Sequence, residues 1–210
     1  MTKRIETKTH RYHHGALREA LVGAATVLLE RGDVGAVSLR EAARMARVTP
    51  GAPYHHFRDK DDLLAAVALE GFASLSAQLS DVLGREGPVT LERVEELLRA
   101  YVEFAREQPG RFRVMFLPEL HRPEHPEVLA AAEALFDAMS GLFRSEGALP
   151  NCASELAGVV LSQAHGMATL VDKEGLWARV GRSGLSQTLS AAAELLHLAY
   201  RAALQATAFG

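Results

Sequence analysis

The chain has 210 residues, 48% hydrophobic and 23% charged, with a formal net charge of −3 at pH 7 and one cysteine, Cys152. This is ordinary globular composition, enough for one large or two small domains; the single cysteine excludes an internal disulfide framework and fits a reducing cytoplasm. The polar amino terminus has no signal-peptide core, and no unbroken apolar run reaches the ~18 residues of a membrane span, so no membrane partner is expected.

The charge is unevenly placed. Residues 1–60 hold 11 Lys/Arg against 6 Asp/Glu, a net +5, and the remainder carries −8. A cationic end on an acidic body suits docking of that end alone on a polyanion. Residues 1–11, with Lys3, Arg4, Lys8 and Arg11, read as a flexible basic arm that can reach a DNA minor groove or lie idle.

Helix 1 is expected from about His14 to Arg31, with Leu17, Leu21, Ala24, Ala25 and Leu28 on its inner face and Gly32 and Gly35 ending it. Ser38 then reads as the N-cap of a short helix whose Leu39, Ala42, Ala43 and Ala46 share one face. Val48 plugs the turn. Thr49 is expected to cap a second short helix with Pro50 at its first position. Gly51 and Ala52 leave room for approach to base edges; Tyr54, His55 and His56 supply hydrogen-bonding groups, and Phe57 anchors the end in the core. Asp59 caps the next helix, with Asp61 and Asp62 in its first turn and Lys60 beside them, available to a phosphate. Two short helices about a tight turn form a unit that can lay one helix in the major groove.

This stretch resembles the DNA-binding domain of the TetR family of transcriptional regulators. The resemblance rests on Ser38, Val48-Thr49-Pro50-Gly51-Ala52, Tyr54-His55-His56-Phe57, Lys60 and Leu63-Leu64, with Tyr12-His13-His14-Gly15-Ala16-Leu17-Arg18 matching the start of helix 1. Pro53 departs from the family pattern, which has an aliphatic residue there. By matched position the resemblance implies base-edge contacts from Arg40, Gly51, Ala52 and Tyr54, and phosphate contacts from Ser38, Thr49, His55, His56 and Lys60. It also implies a double-stranded DNA operator, a homodimer on a palindromic site, and a C-terminal domain that binds a small-molecule effector of unknown identity. The alternative is a helical protein-interaction module on the same fold without DNA binding.

Downstream, one long helix is expected from Lys60 towards Gly84, linking the DNA-binding domain (residues 12–64) to the effector and dimerisation domain (65–210). Thr90 caps a helix to about Gln108, Pro109 opens another, and Pro118, Pro123 and Pro126 mark an irregular segment. Helices follow from about Pro126 to Ser145 and from Pro150 to Leu170. A loop with Gly175, Gly181 and Gly184 then leads to the last helix, Ser186 to Thr207. The class is all-α with about nine helices. The two last helices (8 and 9) are expected to form the dimer as a four-helix bundle, through Ala157, Gly158, Leu161, Ala164 and Ala168 and through Leu189, Ala193, Leu196, Ala199, Tyr200 and Ala203, unless those faces are core.

The segment from Gln108 to Phe116 and the run Ala164-His165-Gly166-Met167 resemble a C-terminal subgroup often called WHG-type, with Leu161 where that subgroup usually has tryptophan. Candidate effector-pocket residues are Phe104, Phe112, Met115, Phe116, Phe136, Met139, Phe143, His165, Met167 and Trp177, a list that also suits plain core. Arg111, Arg113 and Arg122 can attract an anion or form a solvated face. His121 and His125 are split by Pro123, and no dense cysteine or carboxylate cluster accompanies them, so no metal or cofactor is expected. Gly-rich phosphate loops and the G-x-S-x-G and H-E-x-x-H signatures are missing, which leaves no argument for an enzyme.

Overall fold

A computed structural model describes residues 14–144, 150–170 and 176–208. The expected basic arm, residues 1–11, and Gly175 lie outside the described residues. Eight α-helices and three 3-10 segments occur among the described residues. The α-helices are α1 (His14–Arg31), α2 (Leu39–Met45), α3 (Lys60–Gly84), α4 (Leu91–Glu107), α5 (Pro109–Met115), α6 (Pro126–Arg144), α7 (Pro150–Leu170) and α8 (Leu176–Ala208). The fold is all-α, with an amino-terminal helix-turn-helix unit and a C-terminal helical bundle.

Most helix starts follow local chemistry. Ser38 Oγ accepts from the Glu41 amide at 3.1 Å, Asp59 Oδ1 from Asp62 at 2.9 Å, and Thr90 Oγ1 from Arg93 at 3.2 Å. Each satisfies an amide that the first helical turn leaves free. Prolines open α5, α6 and α7, where a missing N–H costs nothing. One expectation is corrected: α8 begins at Leu176, not Ser186, and Gly181 and Gly184 lie within it. Glycine costs about 1 kcal/mol in a helix interior, an amount that a 33-residue helix docked on its neighbours overcomes.

Helix α3 organises the molecule. Its 25 residues, about 37 Å of helix, pack against α1, α4, α5 and α6. Leu63, Leu64 and Val67 are buried near its start, and Leu75, Leu79 and Val82 towards its end. By length and apolar content it could cross a bilayer, contrary to the expectation that no segment would; here 56% of that stretch is covered by protein. Its far end is tied down by the buried Arg93 of α4. That guanidinium donates to the carbonyls of Val82 at 3.0 Å and Gly87 at 2.9 Å, and also to that of Arg85. Gly87 itself has φ +99°, a backbone region costly to other residues. Helices α7 and α8 pack on α4 and on each other, and α6 packs on α7 and α3.

Candidate nucleic-acid interface and effector region

Helix α2 ends in a tight turn built from the backbone. The Val48 amide donates to the Ala43 carbonyl at 3.0 Å and the Arg47 amide to that of Arg44 at 3.3 Å. This paired pattern is a Schellman motif, and it requires a left-handed residue after the cap. That residue is Arg47, with φ +57°, the sole non-glycine residue with positive φ among the described residues. Sequence reasoning missed it, because such turns are usually announced by glycine.

The recognition element differs from expectation. It is a 3-10 turn, Ala52–His55, preceded by Gly51 and without a side-chain cap. Thr49 contributes its carbonyl, which accepts from the Ala52 amide at 3.0 Å, and so does not cap through its hydroxyl. The cause is Pro53, which has no N–H to return to Thr49 in an α-helical bond. The Pro53 ring is buried where an aliphatic side chain would pack, and its carbonyl accepts from both His56 and Phe57 at 2.9 Å. Phe57 is buried, with the Arg18 guanidinium of α1 5.4 Å from its ring centre.

The predicted DNA contacts are thus placed as follows. Arg40, Thr49, Gly51, Tyr54 and His55 are exposed, and Tyr54 keeps 55% of its surface in solvent although it is aromatic. Ala52 and His56 are half-buried. Ser38 is exposed, with its hydroxyl engaged as the α2 cap. Lys60 is half-buried and donates to the Val34 carbonyl at 2.6 Å, bracing the loop before α2; its ammonium has two further hydrogens for a phosphate. Arg44 is paired with Glu41, leaving Arg40 as the α2 arginine with no ion pair among the described residues. Arg58 holds Asp62 through its side chain at 2.7 Å and its own amide at 2.9 Å. The Arg58 guanidinium keeps the Asp62 carboxyl below the usual carboxylate range.

In the C-terminal body, the expected pocket residues divide into two groups. Phe104, Phe112, Phe116 and His165 form one aromatic cluster with Tyr101 and Phe72: His165 lies 4.4 Å from the Phe116 ring and 5.1 Å from that of Phe112. The Tyr101 hydroxyl, which sequence reasoning did not single out, meets His165 Nδ1 at 3.2 Å. Burial holds the His165 imidazole below its ordinary pKa and pushes the Tyr101 phenol up. Phe143 instead packs at a tilt against Tyr200 of α8, with ring centres 5.5 Å apart. Met115, Met139 and Met167 are buried, and Phe136 is half-buried. The Trp177 side chain lies outside the described residues.

A half-open cleft of about 500 Å3 adjoins the first cluster, where the ends of α1, α4 and α7 meet the start of α5. Phe112 lines it, together with Arg31, Arg106 and Arg113. Two of the arginines expected to attract an anion are engaged: Arg111 pairs with Glu70 at 2.9 Å, and Arg113 donates to the carbonyls of Gly32 at 3.1 Å and Leu29 at 3.3 Å. In return, Glu30 of α1 accepts from the Gly110 amide of α5 at 3.0 Å. Among the described residues no group of three or more metal-ligating side chains is found; His121 instead meets the Met115 carbonyl at 2.7 Å.

Most of the residues expected to pair in a dimer are turned inward, although Gly158, Leu161 and Ala203 are half-buried and Ala199 is exposed. Ala157, Ala164 and Ala168 of α7 and Leu189, Ala193, Leu196 and Tyr200 of α8 are buried in the single chain. The outer face of α8 presents Leu195 and Leu198 at 70% and 64% exposure, and that of α7 presents Val159 and Leu170. These two stripes sit at helical spacing on the side away from the core.

Two family descriptions match the chain. "Bacterial regulatory proteins, tetR family" covers residues 21–67, and "Tetracyclin repressor-like, C-terminal domain" covers residues 94–196. The HTH-type transcriptional regulator BetI of Cronobacter sakazakii is 29% identical over 187 residues, 85% of this chain and 86% of that protein. A protein of unknown function from Rhodococcus sp. RHA1 superposes with a TM-score of 0.73 at 31% identity, over 92% of this chain and 98% of that one. AibR, solved in complex with isovaleryl coenzyme A and operator DNA, gives 0.63 at 19% identity over 83% of this chain and 96% of its own.

Proposed function

Because the chain belongs to the TetR/AcrR family of transcriptional regulators, we infer that it is an effector-responsive repressor that binds a palindromic operator as a homodimer and is released by a small molecule. The observation that carries this reading is the exposed surface of Arg40, Gly51, Tyr54 and His55 at the cationic end, carried by α2 and the recognition turn. Arg40 and the start of the recognition turn would reach base edges, while Ser38, Thr49, His55, His56 and Lys60 would position the domain on phosphates. The outward leucines of α7 and α8 support a self-association surface on those helices, and a palindrome needs two copies. Two recognition turns would then sit roughly 34–36 Å apart. The fold seen in AibR accommodates operator DNA and a small molecule together.

In this reading the division between DNA-binding and effector parts falls within α3. An effector bound among α3 to α7 would shift α3 and change the separation of the recognition turns, provided it binds the two arrangements unequally. A role on DNA supports a cytoplasmic location in this reading. The deciding experiment is salt-dependent binding to the DNA upstream of its own gene, against random duplex. Selective binding with a steep salt slope is expected. Equal, weak binding to both duplexes, persisting after the protein is unfolded and refolded to strip ligand, overturns the reading.

A further inference from the structure

The cleft at the junction of α1, α4, α5 and α7 has an unusual charge balance. Some of the carbonyl groups at the helix ends around it are already bonded within the protein. Arg113 holds those of Leu29 and Gly32, and the Gln108 amide holds that of Phe104 at 2.9 Å. The one carboxylate on its wall, Glu30, accepts from Gly110 at the start of α5. Arg31 and Arg106 are exposed, line the cleft and make no ion pair among the described residues. With Arg113 they outnumber Glu30 by three charges to one. Phe112, Ala105 and Ala168 also line it and add apolar surface.

We propose that this cleft is an effector site for a small organic carboxylate with an apolar tail, its charge held by Arg31 and Arg106 and its tail laid on Phe112. The volume lies within the range of small-molecule sites, and the pattern of apolar surface with few convergent charges is theirs too. The proposal deepens the repressor reading and rests on it for the word effector. It also supplies the coupling. Arg113 faces the cleft and clasps the last carbonyls of α1, so an anion in the cleft competes with α1 for the same guanidinium. Phe112 touches His165 and Phe116, so the tail bears on the buried cluster as well.

The test is calorimetric titration of the full chain with hexanoate, its neutral analogue hexanamide and the cation hexylamine. Hexanoate is expected to bind at least about tenfold more tightly than the other two, the discrimination one charge-assisted contact provides. The double variant Arg31→Ala/Arg106→Ala should lose about tenfold or more in hexanoate affinity, and Arg31→Lys/Arg106→Lys should recover most of it. Thr169→Trp, which fills the cleft from its wall, should abolish binding. Equal binding of the amide, undiminished hexanoate affinity in the alanine variant, or no binding of hexanoate and its butanoate to decanoate homologues overturns the site. Titration of ligand-free protein onto upstream DNA separates the two readings. Carboxylate binding without DNA binding sinks the regulator and keeps the site; DNA binding without carboxylate binding does the reverse.

Discussion

In the proposed reading, Tyr54 is the residue on which sequence-specific recognition turns. An aromatic side chain left 55% exposed on a turn whose neighbours are pinned has contact surface available to a base or sugar. Tyr54→Ala is expected to cost about 1–3 kcal/mol on operator and much less on random duplex, measured by fluorescence anisotropy. Equal losses on both duplexes would make it a backbone contact. Arg47 carries a different kind of information. A side chain held at φ +57° costs roughly 1–2 kcal/mol, which glycine would relieve. Arg47→Gly should therefore raise the urea midpoint by about 1 kcal/mol of stability, with an unchanged m-value. A midpoint that stays put or falls would show the arginine to be compensated by contacts. Asp62 sets a pH dependence. Its carboxyl is held below the usual range by Arg58, so the folded state binds its proton less readily than the unfolded chain. That stabilisation is complete above the ordinary carboxylate pKa and disappears as pH falls through the lowered folded value. Urea stability should decline between about pH 5 and pH 2, and Asp62→Asn should flatten that limb relative to its own plateau; an identical slope in both proteins would remove Asp62 from the account.

At the level of elements, the contact between α1 and α5 is one of the two tightest that glycines make among the described residues. A Cβ added at Gly110 would lie 2.8 Å from the Leu29 Cβ and 3.0 Å from its carbonyl carbon. Gly110→Ala must push α1 and α5 apart, at an expected cost of about 1–3 kcal/mol in denaturant unfolding; wild-type stability would mean the two helices slide freely there. Helix boundaries were legible from sequence where a cap or proline spoke locally at Ser38, Asp59, Thr90, Pro109 and Pro150, though not at Thr49-Pro50. They were not legible where long-range packing decides. Gly181 and Gly184 read as loop punctuation yet sit inside α8, and most of the residues of α7 and α8 chosen for dimerisation lie on the faces that α4 and α6 need covered. The same holds for the site. Tyr54 and Lys60 could be named from pattern. The partnership of Tyr101 with His165, across 64 residues of chain, has no local trace. Arg113 could be named as well, but the cleft's Arg31 and Arg106 are silent, because a last-turn arginine is unremarkable until three helix ends converge.

At the scale of the whole molecule, the proposed reading pairs the outward stripes of α7 and α8 with a second copy. Glutamate at both Leu195 and Leu198 should convert a dimer to a monomer in sedimentation and weaken operator binding with it, since a single half-site has few contacts. A variant that remains dimeric would move the interface elsewhere. The buried side chains meanwhile run as one connected cluster from Leu21 in α1 to Tyr200 in α8, with α3 passing through it from end to end. A break in the chain after residue 64 would strip Leu63 and Leu64 of the rest of their own helix and bare the side of α1 that rests on α5. Hybrids that graft this reading head onto a relative's sensing body therefore have no linker at which to be joined. The crossover has to run through the middle of a helix, and both partners must already agree on what Gly71 and Gly110 leave room for.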